Sequence, residues 1–127
     1  MHQISKLLYA APLVLALNAS AYAGDLTTAT QTMAEIIMNM NHYPQDEDKA
    51  RLKEIAESTS VTNAERILAI SLLNVNHKVQ QEDKPNLRRV MTSSHSSEAE
   101  RHLAKALFRL KHRASEKDIE ILPQLMQ

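Results

Sequence analysis

Residues 62–77 have the sequence TNAERILAISLLNVNH, and residues 97–112 have the sequence SEAERHLAKALFRLKH. Each stretch opens with Thr or Ser followed three residues later by Glu, which is the capping box that starts an α-helix. Apolar residues then recur at helical spacing, and each stretch ends in a histidine. The pair therefore predicts two equivalent helices whose positions differ by 35 residues.

The similarity extends over most of the chain. The second copy aligned with the third gives ten identities in 29 positions, and the first aligned with the second gives eleven in 35. Chance matching at average composition would give roughly two in either case. One histidine occupies the same position in every copy. The sequence thus predicts three repeats, at about residues 29–63, 64–98 and 99–127.

Each repeat is predicted to contain two helices joined by a short turn. The second helix begins in a cluster of acidic residues, whose negative charge suits a helix N-terminus. Pro85 delays the start of this helix in the second copy, and Pro123 breaks or kinks it in the third. With no glycine after Gly24 and few β-branched runs, nothing indicates a sheet. We therefore expect an all-α fold of about six helices in three antiparallel hairpins.

This organisation resembles the α-solenoid proteins, which are helical-hairpin arrays of the tetratricopeptide, HEAT and armadillo kind. The resemblance covers all three copies and concerns architecture only. The tetratricopeptide period is one residue shorter, and its Trp, Gly-Tyr and Pro signature is absent from this sequence. The resemblance implies three hairpins stacked as a short superhelical array, with a role in binding.

The first 23 residues have the pattern of a cleaved secretory signal peptide. Lys6 ends a short basic segment, residues 7–17 are apolar, and Ala21-Tyr22-Ala23 supplies the small-x-small cleavage site. The apolar run is too short to span a bilayer, which requires about 20 residues. We expect export, to a periplasm or out of the cell, and a single helical-repeat domain over residues 24–127. The chain has no cysteine, so packing alone must stabilise this domain.

Composition argues against several classes of function. Without Lys6 the remaining chain has one basic residue fewer than acidic ones, which does not suit a polyanion binder. Tyr43 and Phe108 are the only aromatic residues after the signal peptide, so stacking on single-stranded nucleic acid is not expected. No metalloprotease motif, nucleophile elbow, P-loop or glycine-rich phosphate loop is present. The sequence predicts neither an enzyme nor a cofactor.

The stretch MNMNH, residues 38–42, could hold copper through Met38, Met40 and His42, because thioethers and imidazole are ligands that copper favours. The repeat argues for packing instead. Met38 and Met40 align with apolar residues in the other two copies, and residues two apart on a helix point to different sides. We therefore favour a core role for the methionines, with a copper or zinc handling protein as the alternative function.

His42, His77 and His112 are predicted at the ends of the first helices. A zinc site would need their nitrogens to converge, whereas equivalent helices of stacked repeats lie about 8–10 Å apart or more. We therefore expect a ladder of histidines without a metal. An imidazole at this position can bond terminal helix carbonyls, and its cationic form suits the helix dipole.

The sequence contains one candidate docking face. Basic residues at helical spacing line the third repeat and its end, at Arg101, Lys105, Arg109 and Arg113. The preferred function is a non-enzymatic module of the cell envelope that binds a protein or peptide, and the alternatives are metal handling and holdase-like protection of unfolded proteins.

Overall fold

The computed structural model describes residues 26–126, and its secondary structure is helical, as predicted. The predicted signal peptide lies outside the described residues. Six α-helices are present in this part of the chain, together with 3₁₀ segments at Gln81–Asp83 and Leu122–Met126. The α-helices are α1 (Thr28–Asn39), α2 (Asp46–Glu57), α3 (Asn63–Leu73), α4 (Lys84–Thr92), α5 (Glu98–Arg109) and α6 (Glu116–Ile121).

Capping boxes start the first helix of each copy. The Thr62 hydroxyl accepts a hydrogen bond from the Glu65 amide at 3.0 Å, and the Glu65 carboxylate accepts one from the Thr62 amide at 2.9 Å. Ser97 and Glu100 make the same pair of bonds. These bonds satisfy backbone donors that a helix N-terminus leaves free, which confirms both predicted helix starts.

The first helices α1, α3 and α5 pack against one another and form the inner layer. Each second helix packs on the inner helix of the following copy, so α2 contacts α3 and α4 contacts α5. The 3₁₀ segment after α6 packs on α1. This last contact closes the helices into a ring, whereas the solenoid resemblance implied hairpins stacked as a short superhelical array. Closure covers the apolar faces that an open row of three hairpins would expose at its ends.

Contacts at both ends show that the inner helices run in the same direction. At their N-termini, the Thr27 hydroxyl donates to the Glu65 carboxylate and the Thr62 hydroxyl donates to the Glu100 carboxylate, each at 2.6 Å. At the opposite ends, the turns that follow the three helices bond to one another. The inner layer is therefore a parallel three-helix bundle, and equivalent residues of the three copies meet at its ends.

The core lies between the inner and outer helices. Ile37, Leu72 and Leu107 occupy the same position of the three inner helices, and none is exposed to solvent. Burial of one such side chain contributes about 1.5–3 kcal/mol.

The repeated Ala-Glu-Arg motif also has a structural role, because Arg66 donates to the carbonyls of Ala56 and Ser58 in the preceding link.

Candidate functional site

Each inner helix is followed by a sharp turn at a histidine. We name these the histidine turns, residues 40–44, 75–79 and 110–114. The backbone φ angles of their central residues are 74° at His42, 70° at His77 and 66° at His112. In the third turn the Arg113 amide donates to the Lys111 carbonyl at 2.7 Å, across His112. A hydrogen bond that spans one residue at positive φ is the pattern of the strained classic γ-turn.

The three histidines are joined through their backbones. The His77 amide donates to the His42 carbonyl at 2.6 Å, and the His112 amide donates to the His77 carbonyl at 2.5 Å. The His42 amide donates to the His112 carbonyl and closes the cycle. Because each residue is bonded to both of the others, the cycle fixes the three Cα–Cβ bonds relative to one another.

The three imidazole rings form a single cluster. Their centroids are 4.8, 4.9 and 5.1 Å apart, and the rings meet edge to face at 70–90°. The Nδ1 atoms of His77 and His112 are 3.2 Å apart, so one of them donates to the other. One potential ligand nitrogen from each histidine lies within 4.8 Å of the other two. The predicted ladder is therefore wrong.

The physical reason lies in the packing of the inner helices. The ladder assumed a row of stacked helices, in which equivalent residues stay one helix spacing apart. Around a common axis, the ends of three parallel helices instead face each other. The turns begin after α1, α3 and α5 have ended at Asn39, Leu73 and Arg109, and they carry the histidines across the remaining distance.

The position of the cluster favours positive charge. Three parallel helices end immediately before it, and the C-terminus of a helix carries the equivalent of about half a negative charge. His77 and His112 are exposed and His42 is half-buried, so an ion could reach the rings from solvent.

The donor set suits a late transition metal. Imidazole nitrogen binds zinc, copper and nickel, and three histidines with an open fourth position form a known type of tetrahedral zinc site. Zn–N bonds of about 2.0–2.1 Å place tetrahedral ligands about 3.3–3.4 Å apart. The His77 and His112 Nδ1 atoms, at 3.2 Å, are already near this spacing. The three ligand nitrogens are spread over up to 4.8 Å, so the His42 nitrogen has to come closer for all three to bind one ion.

The alternative copper set is not assembled in the same way. Met40 is 4% exposed and belongs to the hydrophobic core, as does the fully buried Met33. Met38 is partly buried against the same core. The set Met38, Met40 and His42 therefore shares only its histidine with the cluster.

The predicted basic docking face is largely engaged within the protein. Arg101 donates to the carbonyls of Ser93 and Ser96 and pairs with Glu98 at 2.9 Å. Arg109 pairs with the buried Asp118. Lys105 is half-buried, and Arg113 lies next to His112 in the third histidine turn. Binding of a partner at this face stays a prediction.

Two grooves at equivalent positions lie on the surface of the first two repeats. One, of about 580 Å³, is lined by Ala29, Ile55 and Val61 beside α1 and α2. The other, of about 420 Å³, is lined by Ala64, Ile67 and Val90 beside α3 and α4. Both are open to solvent along the side of a hairpin.

Among the described residues, no helix combines the length and apolar character that crossing a membrane requires.

Comparison with family models, with curated proteins and with solved structures found no match to this chain.

Proposed function

We propose that this protein binds one divalent late transition-metal ion, with zinc as the best fit, through His42, His77 and His112. The observation that carries the proposal is the approach of the three ligand nitrogens to within 4.8 Å of one another. This function replaces the sequence-based expectation that the protein binds no metal. The predicted signal peptide would place the ion site in the cell envelope.

The backbone of the histidine turns supports this proposal. Glycine adopts positive φ without the steric cost that a Cβ atom brings, yet each of the three positive-φ positions holds a histidine. A non-glycine residue in such a conformation costs on the order of 1–3 kcal/mol when the surroundings impose it. A role for the imidazole itself would account for retaining the same strained residue in three turns.

The alternative is that the rings contribute only packing. Edge-to-face contacts between aromatic rings stabilise a fold by about 0.5–1.5 kcal/mol per pair. Such contacts do not require a ligand nitrogen from every ring to approach the other two, whereas a shared ion does. Metal binding therefore accounts for a histidine in all three turns, which ring packing alone does not require.

Titration of the chelator-treated protein with zinc and with copper(II), against a competing indicator, tests the proposal. We expect one ion per chain and weakening of at least about 100-fold in His77→Ala, because the variant keeps only two of three ligands. His95→Ala is the matched control, since His95 is an exposed histidine between α4 and α5. Binding that is absent in the unmodified protein, or equally weakened in both variants, would refute the proposal.

A further inference from the structure

We propose that the ion's remaining coordination position takes a small oxyanion, held electrostatically by Lys78, Lys111 and Arg113. This inference rests on the proposed metal site. It comes from the charges of the histidine turns, which differ from those expected around a bare cation.

The three histidine turns contain three basic residues and no Asp or Glu. Neutral imidazoles add no charge, so a divalent ion would keep its full charge next to three further cations. Sites that bury or concentrate cations need compensating negative charge or strong solvation. The three helix C-termini before the turns supply part of this compensation, but no side chain of the turns supplies the rest, which leaves a place for a negatively charged ligand from outside the chain.

The three basic residues lie next to the histidines on neighbouring stretches of backbone. Lys78 and Lys111 are paired across the second and third turns as an isolated β-bridge, and Lys111 is also paired with Arg113. All three side chains are exposed. His77 precedes Lys78, and His112 lies between Lys111 and Arg113, so each basic residue is next in the chain to one of the two exposed histidines.

Carboxylates elsewhere at this end of the molecule belong to the outer helices. Asp48 pairs with Arg51, Asp118 with Arg109, and Asp83 accepts from the Asn74 amide. The remaining acidic residues at this end lie near the start of an outer helix, where the helix dipole stabilises negative charge. They are Asp46, Glu47, Glu82 and Glu116. These acidic groups therefore have local roles and do not belong to the histidine turns.

The chemistry is a simple ligand exchange. A water molecule bound to the ion leaves, and an oxygen of a carboxylate, carbonate or phosphate group takes its place. A monoanion reduces the charge of the metal centre by one, while the ammonium and guanidinium groups can donate to the anion's remaining oxygens. The shared feature of these ligands is an exposed, negatively charged oxygen.

Cobalt(II) provides the probe, because its visible absorption reports coordination number and ligand exchange in a site built for zinc. The cobalt-loaded protein is titrated separately with phosphate, bicarbonate and acetate. We expect a saturable spectral change with one anion bound per cobalt. The relative affinities for phosphate, bicarbonate and acetate then identify the preferred ligand.

The triple variant Lys78→Gln, Lys111→Gln and Arg113→Gln is expected to weaken anion binding about tenfold while keeping one cobalt per chain. Lys53→Gln, Arg88→Gln and Arg89→Gln together form the control, because these exposed residues lie in the middle or the second half of outer helices. The control is expected to bind anions like the unmodified protein.

The two proposals fail in different ways. A cobalt spectrum that no anion changes, or equal anion affinity in the triple variant and its control, would overturn the oxyanion inference and leave metal binding intact. Cobalt-dependent dimers in anion-free buffer would overturn it in favour of a carboxylate from a second copy. Failure to bind cobalt at all would overturn both proposals.

Discussion

Because the three histidines have positive φ angles, the steric strain at the histidine turns can be measured without any metal. At φ of 66–74°, a Cβ atom crowds the following carbonyl oxygen. His77→Gly and His77→Ala both remove the imidazole and its contacts with the other rings. Their difference in stability therefore reports mainly on the Cβ atom in this backbone conformation.

The expected difference follows from two opposing terms. Loss of the Cβ atom relieves about 1–2 kcal/mol of steric strain at a left-handed residue. Glycine gains about 0.5–1 kcal/mol more conformational freedom in the unfolded chain, which favours unfolding. We expect His77→Gly to be more stable than His77→Ala by about 0–1.5 kcal/mol, with the middle of the range at about 0.75 kcal/mol. For a domain of this size, each kcal/mol corresponds to about 4–8 °C in Tm.

Urea denaturation in the presence of a chelator provides the measurement. His102 supplies the control, because it lies within α5, where glycine is expected to be less stable than alanine by about 1 kcal/mol. The difference in stability between the glycine and alanine variants should therefore have opposite signs at positions 77 and 102. A glycine variant at position 77 that is less stable than the alanine variant would contradict the strain argument, and with it one support for the metal site.

Three further predictions concern the fold. Leu72→Ala removes a fully buried side chain of α3 and should lower the free energy of unfolding by about 2–5 kcal/mol in urea titrations. Thr62→Ala removes both the cap of α3 and a bond to the buried Glu100 carboxylate, so differential scanning calorimetry should show destabilisation of about 2 kcal/mol. Burial lowers the pKa of His102 below its ordinary value of 6.5, so the unfolded chain takes up this proton first as the pH falls. The contribution of neutral His102 to the free energy of unfolding is therefore complete above that ordinary pKa and is lost as the pH falls below it. Between about pH 7.5 and pH 5, the free energy of unfolding of His102→Gln should fall less than that of the unmodified protein.

The sequence was sufficient to predict the secondary structure of the described residues. The capping boxes at Thr62 and Ser97 form as expected, and Pro123 coincides with the change from α6 to a 3₁₀ segment. These features depend on residues a few positions apart, whose effects on the backbone are local. Helix starts and proline breaks can therefore be found in a single sequence.

The candidate site depends on information that is not local. The repeat identified His42, His77 and His112 as equivalent, but their meeting depends on whether the three hairpins form an open row or a closed ring. That choice is made by the contact between the last 3₁₀ segment and α1, which are separated by most of the domain. One signal was present in the sequence: a chain with no glycine after Gly24 must use another residue wherever a turn needs positive φ.

X-ray absorption at the zinc edge of the zinc-loaded protein identifies the ligands of the ion. We expect three imidazole nitrogens at about 2.0–2.1 Å and one further light ligand, with the imidazole signal lost in the triple variant His42→Ala, His77→Ala and His112→Ala. A sulfur shell from methionine, or a spectrum of oxygen ligands alone that the triple variant leaves unchanged, would contradict the three-histidine site.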